Sequence, residues 1–233
     1  MIQLAGAGVT VALPASGEQR TRVLLHPTTL DLGERRIAVI GANGSGKSTL
    51  LRLLNGLVLP STGQVLVDGL DTRRDGREVR RRVGFVFTDP LSQLVLATPA
   101  DDVELSLRPF LRGRAARRAE AYRLLEERGL GQVGDQSVYD LSGGERQLVA
   151  LTSVLAARPR IVVADEPTTL LDLRNRDRVR AALAGLEQQV LLATHDLELA
   201  AEADRVLVVD GGRVVADGAP SDAIAAYLRV VRP

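Results

Sequence analysis

The sequence predicts an α/β fold, with a mostly parallel sheet, an antiparallel β portion at the N-terminus and a helical subdomain inserted into the core. Three observations lead there. Strand-like and helix-like stretches alternate along most of the chain. Continuous apolar runs such as "IVVA" in "RIVVAD" suit strands buried on both faces, the habit of parallel sheets. Between about 98 and 157 no strand-like run occurs at all.

In chain order, "VTVALP" and "RIAVI" read as short strands, and the second runs into "GANGSGKST". A helix is expected over 47–57, then a strand with a turn at "GQVLVDG" and another strand at "RVGFVF". The middle reads as helical through "AARRAEAYRLLEER" and again after Gly144. Strands resume at "RIVVAD", "QQVLLAT" and "DRVLVVDGGRVVADG", the last a hairpin around Asp210 and Gly211. A short helix over about 221–228 ends the chain. The whole, 1–233, is expected to form one domain, with a core of about 1–87 and 158–233 and a helical subdomain of about 88–157.

Composition narrows the function. With 233 residues, 45% of them apolar, the chain is long enough to bury a substantial core. A formal net charge of +1 argues against a nucleic-acid partner bound by phosphate neutralisation. The arginine clusters at 77–82 and 112–118 read as solvated helix faces partnered by nearby acids. No apolar run approaches the roughly eighteen residues that would span a bilayer, and the start "MIQLAGAGVTVALP" lacks the basic opening of a signal peptide. The absence of cysteine rules out disulfides and thiolate metal sites. Together these features fit a cytosolic protein. Lys47 is the only lysine in a chain whose other basic residues are all arginine. Position 47 therefore needs a compact point charge on a flexible stem rather than a planar fork.

That lysine lies in "GANGSGKS", a match to G-x-x-x-x-G-K-[ST] with a strand before it and a helix after it. Gly41, Asn43, Gly44, Ser45 and Gly46 would bring backbone amides to phosphate oxygens beside a helix N-terminus. Lys47 would reach the β- and γ-phosphates, Ser48 would hold Mg²⁺, and Thr49 would add a phosphate contact. A glycine-rich turn that binds nothing is the competing reading, and this setting disfavours it.

"IVVADEP" is an apolar strand ending in two carboxylates, an arrangement that costs free energy unless a cation or a reaction uses them. Asp165 is read as ordering the Mg²⁺ shell and Glu166 as polarising the attacking water. "LLATHD" repeats the design, with His195 placed to contact the γ-phosphate or its water. His26, the other histidine, reads as an incidental surface residue. "LSGGERQ", almost a hundred residues after the phosphate loop, looks like a second phosphate-binding element: Ser142, the Gly143 and Gly144 amides and a helix N-terminus.

The order of these motifs resembles the ATP-binding cassette ATPases over nearly the whole chain. The resemblance implies a phosphate-loop NTPase core that takes ATP and Mg²⁺. It implies that two cassettes pair head to tail, so that Ser142, Gly143 and Gly144 of one close over the nucleotide of the other. "TTLLD" at 168–172 matches the loop that communicates across such a dimer. The stretch "VGFVFTDPLSQLVLATPADDVELSL" is similar to energy-coupling-factor importers, with Gln93, Thr98, Asp101 and Asp102 on the pattern, and "FTDP" resembles the ATPases of biotin uptake. That family implies a second ATPase chain, identical or paralogous, and transmembrane scaffold and substrate-binding subunits. It also implies a peripheral place on the cytoplasmic face of the membrane and a vitamin or a cobalt or nickel ion as cargo. The alternative class is a soluble cassette ATPase of DNA repair or translation. Repair members carry a long coiled-coil insert and translation members carry two cassettes, and neither fits 233 residues. An inactive regulatory cassette is disfavoured by the complete motif set.

Two departures from the family stand out. Thr88 occupies the usual glutamine position and is assigned to the metal environment, through a bridging water. No aromatic precedes Phe85, so none is available from the strands before the phosphate loop to stack on adenine. Such stacking is worth about 1–3 kcal/mol. GTP is therefore expected to compete within about tenfold of ATP in equilibrium binding. A hundredfold preference for ATP would reveal an adenine contact made elsewhere.

Overall fold

The structure is a computed structural model and describes residues 1–13, 20–169 and 171–231. In chain order the elements are β1 (Ile2–Leu13), β2 (Arg20–Leu32), β3 (Arg36–Ile40), α1 (Lys47–Leu54), β4 (Thr62–Val67), β5 (Leu70–Asp71), α2 (Gly76–Arg82) and β6 (Val83–Val86). Then follow α3 (Pro99–Leu107), α4 (Arg114–Glu126), α5 (Gly143–Ala156), β7 (Ile161–Asp165), α6 (Leu173–Ala184), β8 (Gln189–Ala193), α7 (Leu197–Ala201), β9 (Arg205–Asp210), β10 (Arg213–Gly218) and α8 (Pro220–Val231). Two compact units result: Met1–Val83 with Gln189–Pro233, and Gly84–Gln188.

In the first unit, β2, β1, β4 and β5 form an antiparallel sheet in that order. β10, β9, β3 and β8 lie side by side, β3 running parallel to both β8 and β9 and β10 antiparallel to β9. The fold is thus α/β, with parallel central strands and an antiparallel edge. Ile37, Ala38, Val39 and Ile40 are buried, as are Val206 to Val209 on β9. Between their end residues such strands carry no polar side chain, which leaves polar groups to their ends.

The second unit holds β7, buried at all five positions, and the helices α3 to α6. The segment 88–157 lies within it, and the unit extends further to include β7 and α6. Thr98 caps α3 by accepting from the Asp101 N–H, with Pro99 as the first helical residue. The arginine clusters do pair with acids: Arg81 with Glu78 at 2.6 Å, Arg82 with Asp68 at 3.4 Å, Arg117 with Glu104 at 3.3 Å and Arg118 with Asp101 at 2.6 Å.

Several elements depart from the sequence reading. The first strand begins at Ile2, seven residues before "VTVALP", and Pro14 of that stretch lies outside the described residues. β2 was not legible, because its first half is polar and exposed and only Leu25, Thr28, Leu30 and Leu32 face inward. The helix expected over 47–57 stops at Leu54, since Gly56 takes a left-handed φ of 70° just past the Asn55 cap. α6 is likewise silent in the sequence: only Val179 and Leu183 are buried along its twelve residues, too short an apolar stripe to give a helical period. His26 is half-buried in β2, its N–H donating to the Gly212 carbonyl at 2.8 Å. Among the described residues no helix is long and apolar enough to cross a membrane.

Candidate nucleotide site

In the first unit, β3 delivers the chain into the loop at 41–46, and α1 begins at Lys47. The loop is pressed against its neighbours. A Cβ on Gly41 would stand 2.1 Å from the Val209 carbonyl oxygen, and Gly41 has a φ of 153°. A Cβ on Gly46, at φ 112°, would stand 2.9 Å from the Leu24 carbonyl oxygen. Only glycine fits either place. The Gly212 N–H donates to the Ser45 carbonyl at 2.7 Å, tying the loop to the β9–β10 turn.

Lys47 is only 4% exposed, and its Nζ donates to the Gly41 carbonyl at 2.9 Å and the Ala42 carbonyl at 3.1 Å. The ammonium is thereby held inside the curve of the loop. Ser45 is 5% exposed, and its Oγ has no hydrogen-bond partner. A buried charge, an orphaned buried hydroxyl and a cradle that a Cβ would fill together suit a polyanion such as a nucleotide phosphate. Asn43 and Gly44 lie on the outer rim of the same loop, Gly44 with open space where a Cβ would be. Ser48 and Thr49 follow on the first turn of α1, half-buried. His195 projects from the end of β8 as an exposed residue, after the buried Thr194, whose Oγ1 accepts from the Asp196 N–H at 3.0 Å.

In the second unit, β7 ends at Asp165, 2% exposed. Glu166 follows in a left-handed conformation, φ 49°, a strain of about 1–3 kcal/mol for a non-glycine residue. A tight turn maintains it: the Thr169 N–H donates to the Glu166 carbonyl at 3.2 Å, and Thr169 Oγ1 donates to Glu166 Oε2 at 3.1 Å. The carboxylate is thus turned out of line with the strand. Thr88 Oγ1 donates to the Asp165 carbonyl oxygen at 2.7 Å. Its proton is committed to the strand end while its lone pairs stay available as an acceptor. Among the described residues no group of three or more histidine, aspartate or glutamate side chains forms a metal site.

Ser142 is exposed at the N-cap of α5. Its Oγ accepts from the Glu145 N–H at 3.3 Å and donates to Glu145 Oε2 at 2.7 Å, and its own N–H donates to that carboxylate at 2.8 Å. "LSGGE" is therefore also a capping box, a signal present in the S-x-x-E spacing but not read from it. Those two bonds from Ser142 hold the Glu145 carboxyl below its usual range. Gly143 is exposed, whereas Gly144 is buried. A Cβ on Gly144 would lie 2.3 Å from Asn175 Cγ at the start of α6, where Asp172 Oδ1 caps the helix by accepting from the Asn175 N–H. Gly144 thus serves the packing of α5 on α6. In "TTLLD", Thr168 is buried and Asp172 caps α6, and Leu170 lies outside the described residues.

A model described as ABC transporter matches residues 25–169. The chain belongs to the ABC transporter ATP-binding family. It is similar to a putative ABC transporter ATP-binding protein of Deinococcus radiodurans, 50% identical over 88% of this chain and 91% of that one. It is 43% identical to the biotin transport ATP-binding protein BioM of Rhizobium etli, over 98% of both chains. An energy-coupling factor transporter ATP-binding protein, EcfA1 of Symbiobacterium thermophilum, is 40% identical over 93% of this chain and 78% of that one. Among solved structures, a dimeric ATP-binding cassette in a post-hydrolysis state with ADP and Pi aligns at a TM-score of 0.83, with 29% identity over 94% of this chain and 99% of that one. This cassette has the phosphate-loop NTPase fold and is an ATPase.

The packing of Gly144 against Asn175 gives a stability test. Gly144→Ala forces Asn175 aside and strains the α6 cap, at an expected cost of about 1–3 kcal/mol despite alanine's better helix propensity. A lowered urea midpoint is the expected result; an unchanged one means that α5 and α6 slide apart to admit the methyl group.

Proposed function

We propose that this cassette is the ATP-hydrolysing motor subunit of an energy-coupling-factor type importer. The observation that carries the reading is the likeness to a biotin transport ATP-binding protein along 98% of both chains. The importer-like pattern at 83–107 in this sequence supports it. Two copies, or this chain and a paralogue, pair head to tail around two ATP and dock on a transmembrane scaffold at the cytoplasmic face of the membrane. A separate membrane subunit selects the cargo, a biotin-like vitamin or a transition-metal ion. The segment 88–157 acts as the helical signature subdomain.

The chain's own residues divide the chemistry. The amides of Gly41, Asn43, Gly44, Ser45 and Gly46 receive the phosphates, and Thr49 adds a contact from the first turn of α1. Lys47 already has its charge buried in the loop, so exchanging the Gly41 and Ala42 carbonyls for phosphate oxygens requires little new desolvation. Ser48 and Asp165 would hold Mg²⁺, and Thr88, whose Oγ1 donates to the Asp165 carbonyl, would offer its acceptor lone pairs beside them. When bound there, Mg²⁺ would supply charge neutralisation to the phosphoryl group. Glu166, swung out of the strand line by its positive φ, orients and polarises the attacking water, and His195 contacts the γ-phosphate or that water. Ser142, Gly143 and Gly144 close over the nucleotide of the partner chain, and the loop at 168–172 communicates across the dimer.

Glu166→Gln keeps the size and removes the charge, so ATP still binds while turnover falls by a factor of about 10² to 10⁴. Size-exclusion chromatography of this variant with MgATP should show an accumulated dimer. Near-normal turnover would mean that Glu166 does not polarise the attacking water. Co-expression with its membrane subunits and uptake of labelled biotin or Co²⁺ into vesicles decides the cargo. ATP-dependent accumulation of neither, in a complex that forms, would end the importer reading.

A further inference from the structure

Phe87 is gripped by two glutamine side chains in the second unit. Its N–H donates to Gln93 Oε1 at 3.2 Å, and its carbonyl accepts from Gln147 Nε2 at 3.1 Å. Gln93 Nε2 donates in turn to the Ala150 carbonyl on α5, at 3.2 Å. The partners fix both amide orientations, since a backbone N–H needs the oxygen and a carbonyl needs the NH₂. Gln147 is 2% exposed and sits on α5, the helix whose N-cap is Ser142. The next residue after Phe87, Thr88, donates to the Asp165 carbonyl at 2.7 Å. An unbroken path of hydrogen bonds therefore runs from α5 through Phe87 and Thr88 to the end of β7.

We propose that Gln147 is a positioning residue for the hydrolysis step: by holding the Phe87–Thr88 peptide it aims the Thr88 hydroxyl at the Asp165 carbonyl and so sets the turn that carries Glu166. The peptide whose carbonyl Gln147 grips is the one that leads into Thr88, so releasing it lets that peptide plane rotate. Rotation withdraws Thr88 Oγ1 from Asp165, and the left-handed Glu166 loses a constraint on the residue just before it. The nucleotide-binding loop belongs to the other unit and keeps its own bonds. The proposal rests on Asp165 holding Mg²⁺ and Glu166 polarising the attacking water.

A double-mutant cycle with steady-state ATPase kinetics tests it. Gln147→Leu removes the donor and leaves the Phe87 carbonyl unsatisfied; Thr88→Val removes the hydroxyl and keeps the shape. Each should lower kcat about tenfold, with KM for ATP within about twofold of wild type. Because both act on one path, the double variant should also be about tenfold slower and not about a hundredfold. A role in packing alone lowers thermal stability and leaves the two changes multiplicative. A multiplicative double variant, or a Gln147→Leu whose kcat stays within about twofold of wild type, overturns the proposal. If Gln147→Leu does not fold, Gln147→Met replaces it in the cycle, since it keeps the length of the side chain and lacks the donor to the Phe87 carbonyl. Normal turnover in Glu166→Gln would fail the underlying site reading; hydrolysis that depends on Glu166 with multiplicative Gln147 and Thr88 effects would fail only this linkage.

Discussion

A strand buried on both faces has no room for a charge except at its end. β7 is buried at every position, and β3 carries four consecutive buried apolar residues; each meets charged groups only in the residue that closes it or in the segment beyond. Asp165 and Glu166 stand after one, and the glycine loop with Lys47 stands after the other. His195 follows β8 in the same way. The charged and polar groups thus collect where strands stop, because the interior of a sheet excludes them.

Placing charge there requires compensation, and the backbone supplies it in both units. Lys47 is nearly inaccessible to solvent, and two carbonyls of its own loop accept its protons. That arrangement works only if the loop can curl tightly against β9 and β2, which Gly41 and Gly46 permit. At the other strand end, Glu166 takes a φ that costs about 1–3 kcal/mol, and Thr169 bonds to both its carbonyl and its carboxylate. Energy is spent in both places to hold a charged group in one position.

The helix α5 combines several such duties in fourteen residues. Its first turn is closed by a reciprocal bond pattern between Ser142 and Glu145, which holds the serine hydroxyl in one orientation. Gly144 lets the helix approach Asn175, and one turn later Gln147 reaches the Phe87 carbonyl. A serine, a glycine and a glutamine of one short motif therefore act on three different neighbours. Their spacing along a rigid helix holds those contacts in register.

The α/β class, the strands at 36–40 and 161–165, the glycine-rich turn between β3 and α1 and the place of the Asp-Glu pair at a strand end were all legible in the sequence by itself. The physical reason is local: continuous apolar runs and glycine spacing report burial and backbone freedom without any partner. The single lysine likewise stood out against a background of arginine, and the fold buries it against two carbonyls of its own loop. Tertiary structure alone decided what depends on a distant neighbour. β2 is a strand because β1 pairs with it, not because its polar first half favours one. Gly144 is required by a residue 31 positions further along, Asn175. Gln93 and Gln147 read as ordinary motif polar residues until the fold brought Phe87 between them. Hydrogen bonds between segments some sixty residues apart leave no periodicity in a sequence, and only the packed chain shows them.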